Sequence, residues 1–272
     1  MTALYSGILS LLFTAYFDES DTHGPAPNLI LAAFIGNTRQ WQLLNRKLRV
    51  LQRKYNFRVF HATEFRARTG EFHGWHQTTR EQLVNELTVA ISDGLTDAVM
   101  ISLPRALYEA EYRAPPVPKG MSLDSQYGVC FRLLLYMFIQ RLQSTNKFHK
   151  LNTVLELGHK NVHNAETIFN EVKAAHEENG SRILGTITIA KKSERPELMV
   201  ADFQAHAFYL SEERVKMGLP GLFDMAQVEL PKRREAGLTM MSVEPETLRG
   251  LKTAWEEHKQ MRMAKWRAKH HQ

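Results

Sequence analysis

The chain predicts a mixed α/β domain, a sheet that opens with a hairpin, continues with strands alternating with helices, and is covered by helices on its faces. Three observations predict it. Two short apolar segments, Phe13–Asp18 and Asn28–Gly36, lie close enough for a hairpin. Three later apolar runs, Asp97–Leu103, Leu151–Leu157 and Arg182–Ala190, are separated by stretches of helical period. The composition, 43% hydrophobic and 24% charged over 272 residues, is that of a globular chain and excludes a disordered or fibrous one.

The elements follow in order. Phe13–Asp18 is apolar and partly aromatic, a buried strand; Ser20–Pro27 is rich in turn residues, and Asn28–Gly36 is the returning strand. Arg39–Tyr55 places Leu43, Leu44, Leu48 and Leu51 at helical spacing. Phe57–Phe60 alternates and predicts a short strand running into His61. Thr79–Ser92 is an amphipathic helix, and Asp97–Leu103 is a strand stopped by Pro104. Three prolines make Arg113–Lys119 a loop. Asp124–Gln143 is a long apolar helix; Arg132 and Arg141 within it point to a buried core helix, not a membrane span. Leu151–Leu157 is a strand, Asn164–Glu177 a helix and Arg182–Ala190 a further strand. Pro196–Ser211 is a helix with proline in its first turn. Met225–Leu230 predicts a short strand and Glu246–Lys269 a last, mostly polar helix.

One cysteine, Cys130, excludes an internal disulfide framework and a multi-cysteine zinc site, and points to a reducing compartment such as a cytoplasm. No basic residue precedes the uncharged stretch from Ala3 to Phe17, which argues against a secretory signal. No run reaches the ~18 apolar residues of a spanning helix. The net charge of +6 is uneven: from Arg249 to Gln272 seven basic residues face two acids, so that segment holds +5 and the rest of the chain +1. A basic segment of this kind marks a polyanion partner or an anionic membrane surface.

Acids stand where apolar residues are expected. Asp18 and Glu19 end the first strand, Glu156 interrupts Val154–Leu157, and Asp202 lies inside Met199–Phe203. A buried carboxylate is costly unless it is paired or binds a cation. Three such positions are rationalised if they converge on a shared positive charge, and Mg²⁺ or Mn²⁺ takes such oxygen ligands. Each acid also has a plain alternative: a turn or cap for Asp18 and Glu19, a solvent-facing edge for Glu156, and a pair with Lys191, Lys192 or Arg195 for Asp202.

The run Tyr16-Phe17-Asp18-Glu19-Ser20, the element Phe60-His61-Ala62, and Lys192-Ser193 followed by Met199-Val200-Ala201-Asp202 resemble the domain-of-unknown-function 3800 family, from about Thr14 to about Leu210. The resemblance implies a ribonuclease-H-like (RNase H-like) fold, a five-stranded mixed sheet whose first three strands are antiparallel, flanked by helices. It divides the chain into an N-terminal extension (1–12), an RNase H-like domain (13–215) and a C-terminal extension with a basic helix (216–272). It also implies a metal-dependent nuclease of a prokaryotic, phage, mobile-element or defence setting. Asp18 matches the first-strand acid that bridges two metals, Glu19 the second acid of the opening motif, and Asp202 the acid on the late helix. Glu156 is assigned by position on its strand. The chain departs from the pattern at Asp21, where many members have Gly, and at Met199-Val200, where many have Leu-Gln.

Around these acids, His61 is a candidate to orient phosphate or carry a proton, and His206 shares a helix face with Asp202. Lys192 is a candidate to neutralise phosphate charge. Lys232, Arg233 and Arg234 form a basic cluster, and Lys265 and Arg267 lie beside Trp266 in the basic tail. Aromatics in a basic stripe stack on the bases of single strands. The expected activity is phosphodiester hydrolysis of RNA or DNA with Mg²⁺ or Mn²⁺ at Asp18, Glu19, Glu156 and Asp202. The alternative is an RNase H-like binding or adaptor module without turnover.

Overall fold

Alternation along the first strand decides which residues share a site. A computed structural model describes residues 11–20, 28–95, 97–114, 123–145, 149–158, 161–219 and 237–270. In β1 (Leu12–Ser20), Ala15 and Phe17 join one core, while Tyr16 joins another on the opposite face. β2 (Asn28–Asn37) returns antiparallel and pairs Asp18 with Ala32, and β3 (Asp97–Pro104) pairs antiparallel with β2. β4 (Lys150–Glu156) runs parallel to β1 on its other side, and β5 (Leu184–Ala190) runs parallel to β4. β6 (Gly237–Ser242) pairs parallel with the far edge of β3. The order is β5-β4-β1-β2-β3-β6.

The first five strands have the order and directions expected of an RNase H-like sheet, with β1, β2 and β3 antiparallel. Among the described residues the sheet has six strands, not the five expected. The extra one, β6, is a six-residue run whose apolar and polar residues give little period-2 signal, and its parallel partner lies far away in sequence. The expected strand at Met225–Leu230 lies outside the described residues.

Phe57–Phe60 is not a strand. The Arg58 and Val59 amides donate to the Glu71 carboxylate at 2.7 and 3.0 Å, so a side chain takes the hydrogen bonds a neighbouring strand would have made. Phe57 and Phe60 pack instead with Phe65, Phe72 and Trp75, their ring centroids 5.1–6.4 Å apart.

Helices cover both faces. On the Phe17 face lie α5 (Gln126–Thr145) and α6 (Val162–Glu178), with Phe17 edge-on to Phe131 and Phe138. The other face carries α1 (Thr38–Tyr55), α3 (Gln77–Gly94) and α7 (Leu198–Lys216). α1 starts at a reciprocal cap in which Asn37 and Gln40 each bond the other's backbone amide. Short helices α2 (Ala62–Ala67) and α4 (Arg105–Leu107) lie in connections, α4 running into a π-helix at Tyr108–Arg113. The last helix, α8 (Pro245–His270), is rooted on the Phe17 face: Leu248 shares that core with Tyr108 and Tyr112, and Arg249 pairs with Glu111 at 2.7 Å.

Among the described residues no helix is long and apolar enough to cross a membrane. α5 carries the buried Arg132 expected of a core helix: its guanidinium is bidentate to Asp124, at 2.7 and 3.2 Å, and reaches Glu171 at 2.8 Å. Cys130 is fully buried, and burial pushes its thiol well above the ordinary range.

Candidate functional site

Strand geometry brings the first two acids together. β1 and β4 are parallel, with Tyr16 beside Val154 and Phe17 beside Leu155, so Asp18 and Glu156 are the next residues along neighbouring strands. Both have the parity of Tyr16 and Val154 and therefore face the α7 side. They sit toward the carboxyl ends of parallel strands, where α/β sheets hold ligands. α7 crosses this face and adds Asp202, whose Oδ2 also accepts the Ala62 amide at 3.1 Å.

A fourth residue occupies the centre. Lys192 lies two residues beyond β5, in a turn where the Glu194 and Arg195 amides donate to the Lys191 carbonyl. Its Nζ is 3.0 Å from Asp18 Oδ2, 2.8 Å from Glu156 Oε2 and 2.8 Å from Asp202 Oδ2. One ammonium thus pairs with three carboxylates, from β1, β4 and α7. Lys192 is 6% exposed and Asp18 5%. Glu156 and Asp202 open further toward water.

The charges explain the titration behaviour. Burial pushes the Asp18 carboxyl well above the usual range; Lys192 pulls it back, and Asp202, Glu19 and Glu156 push it up again. Burial would lower the Lys192 ammonium, but Asp18, Asp202 and Glu156 outweigh it and raise it. Three carboxylates against one ammonium leave two surplus negative charges when all are ionised. Asp18 Oδ2 is buried and has no hydrogen bond of good geometry beside its ion pair.

The structure therefore gathers Asp18, Glu156 and Asp202. Glu19 alternates to the Phe17 face, where burial raises the pKa of Tyr127 and the charge of Glu19 adds to it, and its own amide donates to Asp18 Oδ1 at 2.9 Å. His61 is half-buried and immediately precedes α2; among the described residues no hydrogen bond or ion pair joins it to the three acids. Lys192, a candidate to face phosphate, is instead buried under three carboxylates, and its pair with Asp202 is the plain alternative the sequence offered for that acid. Lys232, Arg233 and Arg234 lie outside the described residues. Lys265 and Arg267 fall within α8, whose root is on the opposite face of the sheet from the acids.

Sequence reasoning missed the roles of two residues beside the cluster, Glu197 and Tyr16, and had placed a third, His206, on the helix face of Asp202. Glu197, 5% exposed before the first turn of α7, accepts from Asn45 at 2.6 Å and lies close enough to Tyr16 to act on it electrostatically. Burial raises the Tyr16 hydroxyl well above its ordinary range, and Glu197 adds to it. Alternation in β1 was the available signal for Tyr16, since it shares parity with Asp18. One turn beyond Asp202, His206 stacks on Tyr209 at 6.1 Å, and Arg66 lies 5.8 Å from the Tyr209 ring. Burial lowers the His206 pKa against the opposing charge of Asp202.

The donor set suits a hard cation by its chemistry, since all three ligands are carboxylates. Lys192 Nζ now occupies the point where the three oxygens converge, so an ion could be held there only in its place. In keeping with this, no group of three His, Cys, Asp or Glu side chains among the described residues is arranged to hold a metal ion.

The strand order and directions make this an α/β protein of the RNase H-like fold. No protein-family model matches the chain, and no curated protein does. Among solved structures it is similar to the crystal structure of Bst-RNase HIII in complex with Mn²⁺, at 12% identity and a TM-score of 0.42, over 89% of this chain. The chain spans 66% of the length of that one.

Proposed function

We propose that the chain is a nuclease of the domain-of-unknown-function 3800 family, hydrolysing phosphodiester bonds of RNA or DNA with Mg²⁺ or Mn²⁺. The observation that carries this reading is the convergence of Asp18, Glu156 and Asp202, from three separate elements, on one point at the carboxyl ends of β1 and β4. Asp18, Glu156 and Asp202 are the residues that would hold the ion, with Glu19 behind Asp18. A bound divalent ion supplies an activated water and charge stabilisation at phosphorus. His61, neighbour to the amide that binds Asp202, would orient phosphate. Lys232, Arg233, Arg234, Lys265 and Arg267 supply the sequence-independent attraction for the polyanion. A cytoplasmic location in a phage, mobile-element or defence setting fits this chemistry.

The test is cleavage of single-stranded, double-stranded and hybrid substrates by the purified chain with Mg²⁺ or Mn²⁺. Cleavage that Asp18→Asn and Asp202→Asn each reduce to background is expected. Full cleavage by Asp18→Asn overturns the assignment.

One observation favours a second reading, an RNase H-like binding or adaptor module without turnover. Lys192 already neutralises part of the acid cluster, as a structural ion pair does. That reading expects nucleic-acid or protein binding with no cleavage under any divalent ion.

A further inference from the structure

Lys192 and a metal ion compete for one place. Its ammonium lies 2.8–3.0 Å from one oxygen of each of three carboxylates. A Mg²⁺ ion would need oxygens at about 2.1 Å, in octahedral geometry and with its waters kept. The same oxygens cannot enclose both. The ammonium is also tethered: Lys192 lies two residues beyond β5, and β5 is held to β4 beside Glu156, where Ala190 pairs with Glu156 and the Leu157 amide donates to the Ala190 carbonyl at 2.8 Å. The lysine is thus delivered to the acids by the same ladder that positions one of them. Its turn, Lys191–Arg195, lies outside the regular strand and helix on either side, so the side chain can withdraw without breaking a sheet ladder.

We infer that Lys192 is a built-in competitor for the divalent ion, so that the acid site has two states, one closed by the chain's own ammonium and one in which the ion replaces it. This rests on the reading of Asp18, Glu156 and Asp202 as metal ligands, and it concerns how that site is regulated. The closed state neutralises part of the acid charge when no ion is bound. The open state requires the ammonium to leave, which weakens ion binding and makes it conditional on whatever draws Lys192 outward. A phosphate of bound nucleic acid, with its negative charge, is the partner that chemistry suits.

The experiment is a Mn²⁺ titration of the full chain, read by the electron paramagnetic resonance signal of free Mn²⁺. Wild type, Lys192→Met, Lys192→Gln and the double variant Asp18→Asn/Lys192→Met are compared. Removing the competing charge is expected to tighten Mn²⁺ binding by about tenfold or more, and the double variant is expected to lose that gain. Equal affinity in wild type and both single variants overturns the competition.

A measurement on wild type stands even if the variants misfold. Reductive methylation of Lys192, read by mass spectrometry, is expected to be slow without Mn²⁺ and to rise when Mn²⁺ saturates the site. Continued protection of Lys192 with Mn²⁺ bound overturns the proposal. These readouts are independent of cleavage. Tighter binding by Lys192→Met without cleavage by any form leaves the competition standing and removes the nuclease reading; cleavage with unchanged affinity does the reverse.

Discussion

Each face of the sheet buries a cation among acids, and the two arrangements differ in how fully they are satisfied. On the Phe17 face, Arg132 holds Asp124 through two hydrogen bonds and Glu171 through a third, leaving one surplus negative charge. On the α7 face, Lys192 holds Asp18, Glu156 and Asp202 by one oxygen each, leaving two. The guanidinium is planar and matches a carboxylate fork; the ammonium is a point charge that serves any oxygen near it. The first network joins α5 to α6 and the loop before α5, deep in a core. The second joins strand ends to a helix at a half-open edge. A satisfied network fixes structure, whereas surplus negative charge marks a place for something else.

The largest expected effect breaks the satisfied network. Arg132→Met leaves Asp124 buried without its ion-pair partner and is expected to cost about 3–5 kcal/mol in urea denaturation. Added Mn²⁺ should restore none of it. Lys192→Met is expected to cost less, about 1–3 kcal/mol, because Glu156 and Asp202 are partly solvated. Here Mn²⁺ should restore stability, by about 2.7 kcal/mol at a hundredfold excess over its dissociation constant. Equal rescue of both variants, or of neither, would erase the distinction between the two networks.

The two sites were unequally legible in the sequence. Asp18, Glu156 and Asp202 could be found because each interrupts an apolar run, and the period of 2 already placed Asp18 on the side of Tyr16. Lys192 was visible, but a lysine in a polar turn, Lys191-Lys192-Ser193, looks like any solvated surface residue. Only the pairing of β5 with β4 carries it beneath the acids. Arg132 declared a core helix by what it interrupted, but not its partners, which lie in the loop before its own helix or on another helix. In the fold, the hairpin and the alternating strands follow from local pattern. β6 does not, because parallel pairing with β3 is non-local and the run is short. Phe57–Phe60 had strand alternation, yet Glu71 won its amides.

A smaller effect sharpens the same comparison within one network. The Glu171 side chain is one-third exposed, and a glutamine oxygen can still accept from Arg132. Glu171→Gln is therefore expected to cost under about 1 kcal/mol, read by the same denaturation. A loss as large as that of Arg132→Met would show that Asp124 alone does not hold the guanidinium.

The smallest effect on stability comes from cutting α8 after Glu257. The cut keeps the root that docks on the Phe17 face, where Leu248 is buried and Arg249 pairs with Glu111. It removes five basic residues, Lys259, Arg262, Lys265, Arg267 and Lys269. Stability is expected to change by less than about 0.5 kcal/mol, and Mn²⁺ affinity not at all, since the acids lie across the sheet. Nucleic-acid binding should respond instead. Its logarithmic dependence on salt should flatten by about 0.7–0.9 for each phosphate that the tail no longer neutralises. An unchanged salt slope would mean that the polyanion is held on the α7 face by the body of the protein, and that the charge of the tail serves another purpose.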